Sequence, residues 1–208
     1  MLCEDFFRKW GIRAKGIIHI GAHHCEERHI YANVGCDDSK VIWIEGNPEI
    51  CRFVQEHMPS SIHLYQALIS DGEKEVDFIV TNNGVSSSML DLKEHLVVHP
   101  HVIEDHRLKL QTTTLPIFLE KNNIKYENYD FLIMDIQGAE LLALKGMSNI
   151  LQNFKHIFLE VNKTEIYAGC ALFPEVIEYL DQYGFKLRDF HMFDEGYGDA
   201  YFVTSNKG

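Results

Sequence analysis

The feature that most constrains the fold is the unit spanning residues 16–45. Gly16-Ile17-Ile18-His19-Ile20-Gly21 is an apolar run that stops at a glycine. Lys40-Val41-Ile42-Trp43-Ile44 is a second apolar run, with Glu45 where it ends. Short β-branched and aromatic runs bounded by turn residues read as buried strands. The polar stretch 26–34 between them fits a helix closed by Gly35. The glycine after the first strand lets a ligand approach the following helix N-terminus. An acid at the tip of the second strand can accept both hydroxyls of a ribose. The unit therefore suits an adenosine-type ligand.

The rest of the chain continues the alternation. Helices are expected over 5–10, over 47–58 with Asn47 as cap and Pro48 in the first turn, over 116–122, over 139–153 and from Phe173-Pro174 to Gly184. Strands are expected over 62–69, 75–81, 108–113, 129–135, 156–161, 186–193 and 200–204, with a hairpin across the 70–73 turn and another at the C-terminal end. This order predicts a single α/β domain over residues 1–208, a mostly parallel sheet with helices on both faces and an antiparallel C-terminal hairpin. Residues 82–108 are too long for an ordinary connector and read as a lid or substrate loop.

Charge narrows the partners. With 19 basic and 31 acidic residues the net charge is −12, and no basic stripe offsets it, so nucleic acid is not an expected partner. No run approaches the roughly 18 apolar residues of a membrane span, and the start Met1-Leu2-Cys3-Glu4-Asp5 is unlike a signal peptide. Five cysteines without a C-x-x-C pair point to reduced thiols and a cytoplasmic protein.

Dinucleotides need G-x-G-x-x-G to cradle a pyrophosphate, but the turn here is Gly21-Ala22-His23-His24-Cys25, with one glycine. This opposes a nucleotide-dependent oxidoreductase, and a Walker loop is also absent. S-adenosyl-L-methionine carries no phosphate, and the pattern fits it best.

Several motifs carry a resemblance. They are Ile18-His19-Ile20-Gly21-Ala22-His23, Val41-Ile42-Trp43-Ile44-Glu45-Gly46-Asn47-Pro48-Glu49, Ser86-Ser87-Ser88, Thr113-Thr114-Leu115, and Met134-Asp135-Ile136-Gln137-Gly138-Ala139-Glu140 followed by Leu144-Lys145-Gly146. Over about residues 16–185 the chain resembles the FkbM family of S-adenosylmethionine-dependent methyltransferases. The resemblance implies a seven-stranded Rossmann-like class I methyltransferase sheet. It also implies O-methylation of a hydroxyl on a sugar, glycan or small natural product. Two positions depart from the family pattern: Cys25 stands where a second glycine is usual, and Pro116 where an aspartate is usual.

The candidate site follows. Glu45 is the expected ribose ligand, Gly21 and Ala22 the backbone approach, and Asn47 a further cofactor contact at the start of its helix. Ala67 and Leu68 stand where a class I methyltransferase places adenine, and Ser87 at the cofactor edge. Asp135 either faces the methionine part of the cofactor or takes the acceptor's proton, with Gln137 beside it. His23 is the second candidate base. Glu140 is expected to close hydrogen bonds around the Gln137-Gly138 turn, and Glu160 to reach the acceptor pocket. The histidines at 95, 99, 101 and 106 match no usual zinc spacing, so no metal is expected. A methyltransferase fold that only binds a partner is the alternative, suggested by Cys25.

Overall fold

The computed structural model describes residues 2–193 and 196–204; Met1 lies outside them. Helix α1 (Glu4–Trp10) ends at Gly11, which takes the left-handed φ of 62°. β1 (Ile17–Ile20) follows and is buried throughout. Helix α2 (Arg28–Asn33) leads back to β2 (Val41–Glu45), also buried along its length. Asn47 caps α3 (Pro48–His57) by accepting the Glu49 N–H at 2.9 Å.

The expected strand over 62–69 divides. β3 (His63–Gln66) pairs in parallel with β2, whereas β4 (Leu68–Ile69) turns away to pair with a separate sheet. Ala67 is the bend, held by its N–H donating to the Glu45 carbonyl at 2.9 Å. β5 (Glu75–Thr81) does not form the expected hairpin across the 70–73 turn. It pairs antiparallel with β6 (Glu104–Thr113), on the far side of the 82–103 segment, which contains the short helix α4 (His95–Val98). β6 starts earlier than the sequence suggests because its first residues, Glu104, Asp105 and Arg107, are charged and do not read as strand.

Thr114 caps α5 (Leu115–Lys121), with Pro116 in the first turn. β7 (Phe131–Met134) is fully buried. α6 (Glu140–Gly146) is shorter than the helix expected over 139–153. It stops where Gly146 packs on the Ser70 backbone so closely that a Cβ would lie 2.0 Å from the Ser70 oxygen. β8 (His156–Asn162), α7 (Phe173–Gln182), β9 (Phe185–Met192) and β10 (Tyr197–Thr204) complete the chain.

Seven strands form the main sheet in the order β3-β2-β1-β7-β8-β10-β9, and β4-β6-β5 form the smaller one. The first five of the main sheet are parallel; β10 runs antiparallel to both β8 and β9. One face of the sheet packs Ile18, Ile42 and Leu132 against Phe118, Leu144 and Leu180 from α5, α6 and α7. The other packs Ile17, Trp43 and Phe131 against Phe7, Tyr31 and Val54 from α1, α2 and α3. The Rossmann-like fold expected from the sequence is thus present. β1 sits between β2 and the much later β7, so the chain leaves in opposite directions at their carboxyl ends. Such a switch point opens a crevice.

Candidate active site at the carboxyl ends of β1, β2 and β7

A cavity of about 480 Å³ fills that crevice, within the size range of small-molecule sites. Gly21, Ala22, His23, Glu45, Ala67, Leu68, Ser87, Asp135 and Gln137 all border it. Asn47 does not. Its side chain caps α3, and its N–H donates to Glu45 Oε1 at 2.7 Å, so it shapes the site from behind.

Gly21 needs to be glycine for two reasons. Its φ is 85°, and an added Cβ would lie 1.7 Å from the Asp135 carbonyl oxygen. The group that approaches closest is therefore the neighbouring strand end rather than a ligand. The N–H groups of Gly21 and Ala22 both donate to the Ile44 carbonyl, at 2.9 and 3.1 Å. The turn is thereby fixed onto β2, next to Glu45.

Glu45 is 9 % exposed, and both its oxygens serve the backbone: Oε1 accepts from Asn47 and Oε2 from the His23 N–H at 2.8 Å. Burial raises its pKa, while these N–H donors oppose the rise. Each oxygen keeps a further lone pair. The carboxylate is therefore held rigid and can still accept two hydroxyls. Ala67, Leu68, Phe78 and Met89 line an apolar slot beside it, suited to a flat heterocycle.

His23 sits at a φ of 42° and Cys25 at 57°, both strained for residues with a Cβ. The His23 ring meets Glu26 Oε1 at 2.6 Å, and this hydrogen bond raises its pKa. His23, His24 and Glu26 bring donor atoms within 4.8 Å of one another, a group able to hold a metal ion. Cys25 is buried among the residues of the α1–α2 face and does not border the cavity. Its side chain points away from the loop's ligand-facing surface, where the sequence placed it beside the cofactor.

Asp135 follows β7 on the cavity floor. It is open to solvent, but only within the cleft, and the protein around it raises its pKa to about 6. Desolvation by the surrounding cleft walls is the main cause, and the charges of Asp199 and Glu45 add to it. Gln137 opposes the rise by donating from Nε2 to Asp135 Oδ1 at 2.5 Å. Its amide is locked in that orientation because the Tyr167 hydroxyl donates to its Oε1, also at 2.5 Å. The backbone of Gln137 is left-handed, at a φ of 55°. Ser88 and Glu140 support it: Ser88 Oγ donates to the Gln137 carbonyl at 2.8 Å, and Glu140 accepts from the N–H groups of Ile136 and Gly138. The structural part expected of Glu140 is thus seen directly.

Glu160 and Asp199 also border the cavity, opposite each other on β8 and β10. Burial raises the pKa of Glu160, with Asp135 and Glu140 next in importance. Tyr167, Tyr197, Asp199 and Phe78 were not expected. Tyr167 lies in an irregular stretch with no motif, and Tyr197 and Asp199 precede the apolar run 200–204 that marks the last strand. The 82–103 segment roofs the cavity through Gly84, Val85, Ser87 and Met89. It is tethered rather than loose: Ile166 accepts from the N–H groups of Lys93 and His95, Asp91 accepts from the Ala168 N–H, and Lys93 pairs with Glu165. Among the described residues, no helix is long and apolar enough to cross a membrane.

Comparison with known proteins bears on the family and the fold. A family model described as "Methyltransferase FkbM domain" matches residues 19–187. A relative named 2-O-methyltransferase NoeI, from Sinorhizobium fredii, is 22 % identical over 176 residues, covering 74 % of this chain and 72 % of the relative. Among solved structures, a SAM-dependent methyltransferase from Aquifex aeolicus aligns with a TM-score of 0.50 at 12 % identity, over 97 % of this chain and 89 % of that one. A protein of the NADB-Rossmann superfamily from Streptococcus agalactiae aligns with a TM-score of 0.51 at 14 % identity, over 93 % of this chain and 63 % of that one. This chain thus spans less than two thirds of the Streptococcus protein. These structural likenesses are likenesses of fold. Because the FkbM model covers most of its length, the chain belongs to the FkbM methyltransferase family.

Proposed function

We propose that the protein is an S-adenosyl-L-methionine-dependent O-methyltransferase acting on a hydroxyl of a sugar, glycan or small natural product. The observation that carries this reading is the convergence, on one cavity at the sheet's switch point, of a rigid two-oxygen acceptor, an apolar slot and an acid. Glu45 suits a ribose, and Leu68, Phe78 and Met89 suit an adenine. Among the described residues no Lys or Arg borders the cavity, which suits a cationic donor rather than a phosphorylated one.

When bound, the cofactor supplies an electrophilic methyl carbon on a sulfonium. The chain's part is to align an acceptor oxygen opposite the sulfur and to keep water out, and orientation of this kind supplies much of the acceleration. With donor and acceptor bound, Asp135 would take the proton of the acceptor hydroxyl on its carboxylate. A base whose pKa lies near the working pH is effective in this role, and about 6 meets that condition. His23 is the second candidate base: Glu26 holds its Nδ1, an arrangement that orients Nε2 to take a proton. Removal of Cys25 from the cavity wall takes away the only sequence support for a binding-only protein.

The test is transfer of labelled methyl from S-adenosyl-L-methionine to a panel of sugars and small hydroxyl compounds. We expect transfer by the wild type and its loss in Asp135→Asn. Calorimetry showing no binding of S-adenosyl-L-methionine to the wild type would remove the proposal.

A further inference from the structure

Behind the main cavity lies a second one of about 230 Å³, and Asp135, Gln137, Glu160, Tyr197 and Val85 border both. His95, His99 and Tyr167 form its other wall, with the His95 ring centroid 5.1 Å from His99 and 5.4 Å from Tyr167. At this volume it admits a single ring rather than an extended ligand.

Two independent observations mark it as a built site. His95 is 3 % exposed, and its Nδ1 has no hydrogen-bond partner. Buried polar atoms are almost always paired, and leaving one unpaired costs stability. The second is charge. Among the described residues neither Lys nor Arg borders either cavity, while Asp135 and Glu160 border both. These carboxylates repel one another, and a bound cation relieves that repulsion where a bound anion adds to it.

We propose that the smaller cavity seats the methyl acceptor, and that the acceptor is a hydroxylated ring bearing a protonated amine and no phosphate or carboxylate. Glu160 receives the ammonium, the face of the ring lies against Tyr167 and His99, and the hydroxyl to be methylated points at Asp135. His95 supplies a further polar contact from the buried wall. This deepens the methyl-transfer reading and rests on it for the acceptor's role, but binding to the cavity is measurable without the cofactor.

The experiment is an NMR saturation-transfer titration of the full chain at pH 7 with glucosamine, N-acetylglucosamine, glucose and glucose 6-phosphate, each with and without S-adenosylhomocysteine. We expect glucosamine to bind at least about tenfold more tightly than glucose or N-acetylglucosamine, and glucose 6-phosphate to bind weakest. Glu160→Gln should erase the preference for the amine, and His95→Phe should weaken all the sugars. Equal binding of glucosamine and N-acetylglucosamine, a preference for the phosphate, or no binding of any sugar overturns the proposal, and none of these readings depends on a variant folding. If calorimetry shows no binding of S-adenosylhomocysteine while the amine preference holds, the methyl-transfer reading fails and the cavity's charge selectivity stands. The converse result retains methyl transfer and removes the amine.

Discussion

Replacing Glu45 with glutamine exchanges one oxygen for an amide nitrogen, and the structure sets out what each atom loses. In the wild type both oxygens already accept backbone N–H groups, from Asn47 at 2.7 Å and His23 at 2.8 Å. The glutamine nitrogen cannot accept, so one of these buried donors is orphaned, at a cost of about 1–3 kcal/mol. For a chain of this size that lowers the melting temperature by about 2–4 °C per kcal/mol. Cofactor binding suffers separately. Two hydroxyls donating to a carboxylate make charge-assisted bonds of about 1.5–3 kcal/mol each. Glutamine keeps one acceptor oxygen, which holds one hydroxyl in a neutral bond of about 0.5–1.5 kcal/mol, so S-adenosyl-L-methionine binding weakens by roughly 2–5 kcal/mol, or about thirtyfold to several-thousandfold. Titration calorimetry reads the affinity, and a thermal melt reads the fold. A folded Glu45→Gln protein that binds within about threefold of wild type would refute the assignment of Glu45 to the ribose.

Asp135 gives a prediction in pH. Its pKa of about 6 means that the basic form fills as pH rises, so transfer should climb from pH 5 and level off above 7, and Asp135→Asn should cost about 10²- to 10⁴-fold. The same shift has the opposite sign for stability. Because the folded carboxyl holds its proton at higher pH than the unfolded one, its contribution falls as pH rises from about 4 to 6; Asp135→Asn should raise the melting temperature at pH 7.5 more than at pH 4. Gly21→Ala should cost more than about 4 kcal/mol and leave little soluble protein, since no rotamer moves the new Cβ off the Asp135 carbonyl. Cys25→Gly should leave cofactor affinity within about threefold of wild type. It relieves a strained φ of 57° while losing a buried thiol, two effects of about 1 kcal/mol each that largely offset.

The main sheet was legible because its inner strands are buried on both faces and read as continuous apolar runs, as at 17–20, 41–44 and 131–134. The acids at their ends were legible for the same reason, since Glu45 and Asp135 interrupt those runs where the strands stop. What the sequence concealed depends on contacts between distant segments. Ala67 carries no mark of a bend; the bend exists because its N–H pairs with Glu45 and its neighbours find β6. Tyr167 matters through one hydrogen bond to Gln137, thirty residues away in the chain, and no local pattern announces such a bond. Asn47 misled in the opposite way. Its neighbourhood is that of a ligand, but its side chain is occupied by the helix it caps.

The separation of β4 from β3 divides the cavity wall between two sheets. Glu45, Gly21 and Asp135 all hang from the ends of the large sheet. The 82–103 excursion hangs from the small sheet, entering from β5 and leaving through β6 over a ladder that holds both ends in place. The carboxylates at the strand ends and the segment that roofs the cavity therefore rest on different supports, and Leu68 and Phe78 bring the small sheet into the wall between them. A replacement of 90–101 behaves as an exchangeable cassette: the wall formed by His95 and His99 can be rebuilt between two fixed strand ends while Ser87, Ser88 and Met89 stay where they meet the larger cavity and the Gln137 turn.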